Sequence, residues 1–204
     1  MKNFLISGYG RSGTTFLSTL MNTSHIWTVL HEPAGYFDEK SYPSETGQAP
    51  QSTVMRFNKN NYGEVNSMLC YWFLHINVKK RGLIFREPID IWLSIANRKH
   101  ENEFLYYSNN LLEQYQMFNK YLQDDKNIHI IRFDKMVSCI NYCQNILTEF
   151  DITDVPVTND VLSTKVNKTE HYKYTNMNVF DKEIKLNIEK TTEIYYKIIL
   201  NEKN

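Results

Sequence analysis

A run rich in glycine and hydroxyl residues follows the first apolar segment of the chain. This run, Gly8-Tyr9-Gly10-Arg11-Ser12-Gly13-Thr14-Thr15, lies between a predicted strand at Phe4 to Ser7 and a predicted helix from about Ser12 to Asn22. A turn in this context aims successive backbone N–H groups and the positive end of the helix dipole at one point, which is a geometry that binds phosphate. The run therefore predicts an anion site.

The spacing of this run matches a P-loop at all but one important position. Gly8 and Gly13 are separated by four residues, and a hydroxyl residue follows at Thr15, but Thr14 stands where a P-loop carries lysine. Kinases and nucleotide hydrolases use that lysine to hold the β- and γ-phosphates. A P-loop kinase or NTPase, with Asp134 as its metal ligand, is thus the alternative hypothesis, and the missing lysine disfavours it.

A second cluster of polar residues follows the predicted strand Leu83 to Phe85. Arg86 comes at the carboxyl end of that strand, and Ser94 lies eight residues later, about two turns into a predicted helix. Since α/β proteins bind ligands at the carboxyl ends of their strands, both side chains could converge on one anion. The alternative is that Arg86 only forms a salt bridge with Asp90 at the start of the helix.

Together the two motifs resemble those of the sulfotransferases that use 3′-phosphoadenosine 5′-phosphosulfate (PAPS) as donor. The resemblance runs from Lys2 to about Asp151 and includes the segment Ile131 to Met136. It implies a sulfotransferase that releases 3′-phosphoadenosine 5′-phosphate (PAP) and needs no metal ion. Arg86 and Ser94 would then bind the 3′-phosphate, and Lys168, in a later segment, is a further candidate donor contact. The implied contacts of the 5′-phosphosulfate are Gly10, Arg11, Ser12, Gly13, Thr14 and Thr15.

The same resemblance suggests which residues carry out the reaction. Arg11 occupies the position where many members have a lysine, so it would stabilise the charge that develops on the leaving phosphate. The segment from Glu32 to Phe37 is similar to the carbohydrate-modifying branches, in which a glutamate at this point removes the proton of the acceptor. We therefore favour Glu32 as the base, with His31 as the alternative. In a further alternative, Glu32 only orients Arg11 through a salt bridge.

Short apolar runs alternate with segments of helical period along the chain. This order predicts an α/β fold of three layers, α/β/α, in which a mostly parallel sheet of four to five strands resembles that of P-loop NTPases. We expect a single domain over residues 1–204, with a donor-binding core to about residue 151 and a C-terminal helical segment from about 152. A loop from Ala34 to Asn61 and a buried helix from Glu64 to Val78, with His75 as a core residue, are also expected. Tyrosines of a later helix are predicted to line the acceptor pocket: Tyr106, Tyr107, Tyr115 and Tyr121.

The composition excludes several classes of protein. The 23 basic side chains balance 23 acidic ones, so the chain has no basic surplus with which to bind nucleic acid. The chain has three cysteines, an odd number, and it shows no signal-peptide pattern and no long apolar stretch. These features predict a cytoplasmic protein without a membrane span. The expected acceptor is a carbohydrate or another small molecule. A homodimer that completes the acceptor site and a non-catalytic domain that only binds PAPS or PAP are further hypotheses.

Overall fold

The computed structural model describes residues 2–32, 51–163 and 173–201. Within these ranges the chain forms five strands, β1 to β5: Asn3–Gly8, Thr28–His31, Tyr62–Val65, Lys80–Phe85 and Ile128–Arg132. It also forms eight α-helices, α1 to α8: Thr14–Met21, Gln51–Arg56, Pro88–Ala96, Phe104–Asp124, Phe133–Met136, Ile140–Glu149, Asn159–Ser163 and Lys182–Asn201. Short 3₁₀ helices occupy Ser67–Trp72, Glu101–Glu103 and Met177–Val179.

All five strands pair in parallel, in the order β2-β3-β1-β4-β5. Neighbouring residues of a strand pack on opposite faces of the sheet, since Leu5 and Leu83 belong to one apolar cluster and Phe4 and Ile84 to the other. Helices α3, α4 and α8 cover the first face, and α1 and α6 cover the second. The predicted α/β/α fold with a parallel sheet of four to five strands is therefore confirmed.

The segment after residue 50 differs from the sequence prediction. The expected loop up to Asn61 contains α2, and the expected helix from Glu64 to Val78 is strand β3 followed by a 3₁₀ helix. The predicted core residue His75 is exposed. The part of the predicted loop before residue 51 lies outside the described residues.

Strand β3 contains an acidic residue whose carboxylate is buried. Glu64 is fully buried, yet Arg56 Nε donates to its Oε1 at 2.9 Å, and Tyr62 Oη donates to the same oxygen at 2.5 Å. Asn66 Nδ2 reaches Oε2 at 3.2 Å. A buried charge is tolerated only when it is paired and hydrogen-bonded, and here both carboxylate oxygens have partners. The same network fixes Asn66 at the carboxyl end of the sheet.

No helix among the described residues is both long and apolar enough to serve as a membrane span.

Candidate functional site

Two neighbouring strands place the predicted anion site. The helix after β1 packs on one face of the sheet, and the helix after β4 packs on the other. Where the connections of two neighbouring strands leave on opposite faces, a crevice opens at the carboxyl edge of the sheet. Ligands of α/β proteins bind in this crevice. The glycine loop, residues 8–15, leaves β1 at this edge, and Arg86 leaves β4 beside it.

The two arginines and the serine predicted from the sequence lie together in this crevice. Arg86 Nη1 donates to the backbone oxygen of Arg11 at 3.0 Å, and Arg11 Nε donates to Ser94 Oγ at 3.2 Å. The Arg86 guanidinium also lies 4.7 Å from the centre of the Phe133 ring, while Tyr115 Oη donates to the Arg86 backbone oxygen at 2.6 Å. Arg11, Arg86 and Ser94, from distant parts of the sequence, are thus linked by hydrogen bonds.

The alternative role of Arg86, a salt bridge with Asp90, is also present in the structure. Arg86 Nε lies 3.9 Å from Asp90 Oδ2, and the Asp90 side chain is 58% exposed. Exposed ion pairs at this distance contribute little, typically less than about 1 kcal/mol. The contact with Asp90 therefore does not account for the placement of Arg86 against the glycine loop.

The glycine loop has a backbone shape that depends on particular residues. Arg11 has φ 76° and Gly13 has φ 106°, and the Ser12 N–H donates to the Tyr9 backbone oxygen at 2.9 Å. Ser12, predicted as a donor contact, is fully buried instead, and its hydroxyl has no hydrogen-bond partner among the described residues. Gly10 faces open space. The loop therefore offers Gly10, Arg11 and the first turn of α1, rather than Ser12, to a ligand.

Gly13 cannot carry a side chain without strain, for two reasons. An added Cβ would overlap the Phe133 ring, and the φ of Gly13 is one that residues with a side chain rarely adopt. We expect Gly13→Ala to lower the free energy of unfolding by about 3 kcal/mol. Gly10→Ala is the matched control, since nothing lies within 4 Å of its added Cβ, and we expect a change within about 0.5 kcal/mol. Urea unfolding of both variants measures the difference; equal losses would contradict this account of the loop.

His31 connects β2 with the start of α1. Its Nε2 lies 3.3 Å from Thr14 Oγ1 and 3.4 Å from Thr15 Oγ1, and it is 3.8 Å from Glu32 Oε1. A neutral imidazole nitrogen can donate to or accept from only one of these groups well, depending on its tautomer. His31 Nε2 is therefore placed to hydrogen-bond one of the two threonine hydroxyls that the family resemblance assigned to the 5′-phosphate.

Glu32 is held by Ser67, a residue that no sequence motif marks. Ser67 Oγ donates a short hydrogen bond to Glu32 Oε1, and Ser67 directly follows the Asn66 of the Glu64 network. Glu32 has φ 42°, so it and Arg11 are two of four described non-glycine residues with positive φ. Such strained backbone clusters at functional sites. Ser67 was missed because its segment was predicted as a helix rather than as the end of a strand.

A cavity of about 450 Å³ opens beside Arg11. Two of the tyrosines predicted for an acceptor pocket, Tyr106 and Tyr107, line this cavity, whereas Tyr115 is a core residue and Tyr121 Oη donates to the Cys70 backbone oxygen. Burial raises the pKa of the Cys70 thiol to about 12, so this cavity residue stays a neutral thiol. The described lining consists of Tyr9, Gly10, Arg11, Ser67, Met68, Cys70, Tyr71, Ile95, Arg98, Lys99, Tyr106, Tyr107, Asn110 and Gln114.

Asp134, the metal ligand of the kinase or NTPase alternative, is paired with a neighbouring arginine. Both oxygens of Asp134 are bonded by Arg132, through Nε at 3.2 Å and Nη2 at 2.7 Å. Burial alone would raise the pKa of the Asp134 carboxyl, but the hydrogen bonds and charge of Arg132 lower it. Asp134 is thus paired with Arg132 at the position where the kinase or NTPase alternative would require it to bind a metal ion. Lys168 lies outside the described residues.

Comparison with known proteins finds solved structures that share the fold of this chain. A sulfotransferase from Alicyclobacillus acidocaldarius superimposes with a TM-score of 0.52 at 15% identity, over 82% of this chain and 87% of that one. The sulfotransferase domain of the Synechococcus PCC 7002 olefin synthase superimposes with a TM-score of 0.54 at 12% identity, over 92% of each chain. No family model and no curated protein sequence matches the chain. The chain therefore has the fold of these sulfotransferases.

Proposed function

We propose that this protein is a sulfotransferase that moves the sulfuryl group of PAPS to a hydroxyl of a carbohydrate or another small molecule. The observation that carries the proposal is the convergence of Arg11, Arg86 and Ser94 at the carboxyl edge of β1 and β4. A nucleotide with phosphate groups at both its 3′ and 5′ positions needs cationic and hydroxyl groups at two adjoining points. In our proposal Arg86 and Ser94, which each contact Arg11, serve one of these points, and the glycine loop serves the other.

The residues of the glycine loop fit an oxyanion. The first turn of α1 leaves N–H groups without partners inside the helix, and the helix dipole adds positive charge at the same end. Gly10 leaves open space above the loop, and Arg11 adds a full charge. In our proposal these groups bind the 5′-phosphosulfate, while Arg86 and Ser94 bind the 3′-phosphate that distinguishes this donor from ATP.

Glu32 is the proposed base, because it lies at the end of β2 and is oriented by Ser67 at the edge of the cavity. Glu32 accepts the hydroxyl proton while the acceptor oxygen bonds to sulfur and the bond from sulfur to the 5′-phosphate oxygen breaks. PAP leaves with the electron pair of that bond, and Arg11 stabilises the negative charge on its phosphate. PAPS supplies the activated sulfuryl group.

Calorimetry with PAP and with ADP tests the donor assignment directly. PAP and ADP differ in two respects, because PAP has a 3′-phosphate and ADP has a second 5′-phosphate. Adenosine 5′-monophosphate differs from PAP only in lacking the 3′-phosphate, so it is the matched control. We expect PAP to bind at least about 100-fold more tightly than adenosine 5′-monophosphate, since an arginine and a hydroxyl would lose their phosphate partner. Equal affinity for PAP and ADP would contradict the proposal.

Product formation tests the reaction itself. The chain is incubated with PAPS and a library of hydroxyl-bearing carbohydrates, and mass spectrometry detects products that carry one added sulfuryl group. Tight PAP binding without any sulfated product across the library would favour a domain that binds the nucleotide but does not transfer the group.

A further inference from the structure

The cavity beside Arg11 has the position expected of an acceptor site. Its lining includes Arg11, which contacts Ser94 in the proposed donor crevice, and Ser67, which donates to Glu32. A molecule in this cavity therefore approaches both the group that would stabilise the leaving phosphate and the group that would take the proton. Given the proposed function, the residues that line the cavity indicate the chemical class of the acceptor.

The cavity wall is suited to a sugar ring. Four tyrosines contribute aromatic surface: Tyr9, Tyr71, Tyr106 and Tyr107. Uncharged hydrogen-bonding side chains stand among them, and Asn110 Nδ2 donates to Tyr71 Oη at 3.4 Å. Aromatic faces pack on apolar ring surfaces, while amide and hydroxyl groups bind ring hydroxyls. The volume of about 450 Å³ falls in the range of small-molecule sites, about 300–1,000 Å³, so it fits one or two sugar residues.

The charged side chains in the described lining of the cavity all have the same sign. Its described lining contains three cations, Arg11, Arg98 and Lys99, and no aspartate or glutamate. Arg98 comes four residues after Ser94, and the N–H groups of Arg98 and Lys99 both donate to the Ile95 backbone oxygen, so the two cations extend the end of α3. A cavity lined by one sign of charge concentrates ligands of the opposite sign.

Lys99 keeps its charge at this position. Its Nζ lies 4.7 Å from the centre of the Tyr107 ring, and hydrogen bonding to Tyr107 raises the pKa of the ammonium. Glu103 is the nearby acidic residue that acts on Lys99, but its carboxylate accepts the His100 N–H at 3.2 Å and does not line the cavity. Among the described residues that line the cavity, no carboxylate therefore neutralises Lys99.

We infer that the acceptor is anionic: a sugar or glycosylated molecule whose carboxylate, sulfate or phosphate group is received by Arg98 and Lys99 while its hydroxyl faces Arg11 and Glu32. This inference rests on the proposed function for the identity of the reaction. The recognition of the negative group depends only on the cavity.

A matched pair of probes tests the inference. p-Nitrophenyl β-D-glucuronide and p-nitrophenyl β-D-glucoside differ only in a carboxylate against a hydroxymethyl group. Calorimetry, with and without saturating PAP, should show the glucuronide binding about tenfold more tightly at low salt, and the preference should shrink as salt is added. Equal binding of the two probes, or no measurable binding of the glucuronide, would overturn the inference.

Variants separate the cavity from the donor crevice. The double variant Arg98→Gln, Lys99→Gln should bring the two affinities within about twofold of each other, without changing the affinity for PAP. The control Lys182→Gln, Lys190→Gln removes two exposed cations from α8 and should keep the preference. A preference that survives the loss of Arg98 and Lys99 would overturn the inference. A chain that prefers the glucuronide but does not bind PAP would overturn the proposed function and leave the anionic cavity intact.

Discussion

Arg86→Ala is expected to weaken PAP binding by about 100-fold or more, which is the largest effect on affinity that we expect from one substitution. Arg86 would lose its charge-assisted bonds to the 3′-phosphate. The Arg11 backbone oxygen would also lose the donor that lies 3.0 Å away, so the glycine loop would be less firmly held. Calorimetry of PAP against the wild type and the variant measures the loss.

Two further variants identify the cause of that loss. Arg86→Lys keeps the charge but removes the planar fork, so we expect it to recover only a small part of the affinity. Asp90→Asn removes the acidic partner 3.9 Å from Arg86 Nε and leaves the guanidinium in place, so PAP binding should be retained. If Asp90→Asn weakened PAP binding as much as Arg86→Ala does, the salt bridge at the start of α3 would explain the effect, and a direct contact with phosphate would not be needed.

Glu32→Gln is expected to lower kcat by about 10²–10⁴-fold, the range that general base catalysis supplies. The amide has nearly the same shape as the carboxylate and its oxygen can still accept the hydrogen from Ser67, but it cannot take the proton of the acceptor. The affinity for PAP should stay unchanged, because Glu32 has no role in binding the donor in this mechanism. Steady-state turnover with PAPS and PAP calorimetry provide the two measurements.

The outcome for Glu32 also decides between the alternatives. A fall in PAP affinity would favour the hypothesis that Glu32 orients Arg11. Unchanged turnover would exclude Glu32 as the base, and a large loss in His31→Gln would then assign that role to His31. Ser67→Ala should lower kcat less than Glu32→Gln, by about tenfold, since it releases the orientation of the base but keeps the base itself.

Four of the five strands could be predicted because each is a short apolar run that ends at a turn or a helix start. β3 could not, since Gly63 and Glu64 interrupt its apolar pattern. Only the folded chain shows that Arg56, Tyr62 and Asn66 satisfy the Glu64 carboxylate. The cost of burying a charge depends on partners from other elements, and sequence periodicity carries no information about them.

The candidate site was predictable to the extent that its residues follow strands. Arg86 comes directly after β4, and Arg11 lies in the loop that follows β1, so the edge of a parallel sheet brings them together. Ser67 was not predicted, because the segment that contains β3 was predicted to be a helix. Arg98 and Lys99 lie at the end of a helix with no motif around them, and only the position of the cavity distinguishes them from ordinary surface cations.

The strand order also has a consequence for how the chain folds. β1 occupies the middle of the sheet, yet both of its partners come much later in the sequence, because Phe4 pairs with Gly63 on one side and with Lys80 on the other. Parallel pairings over such separations form slowly, since long loops must close first. We therefore expect the glycine loop to acquire its native environment only after β4 has docked, and the proposed binding of PAP should appear late in refolding, together with the last gain of tertiary structure.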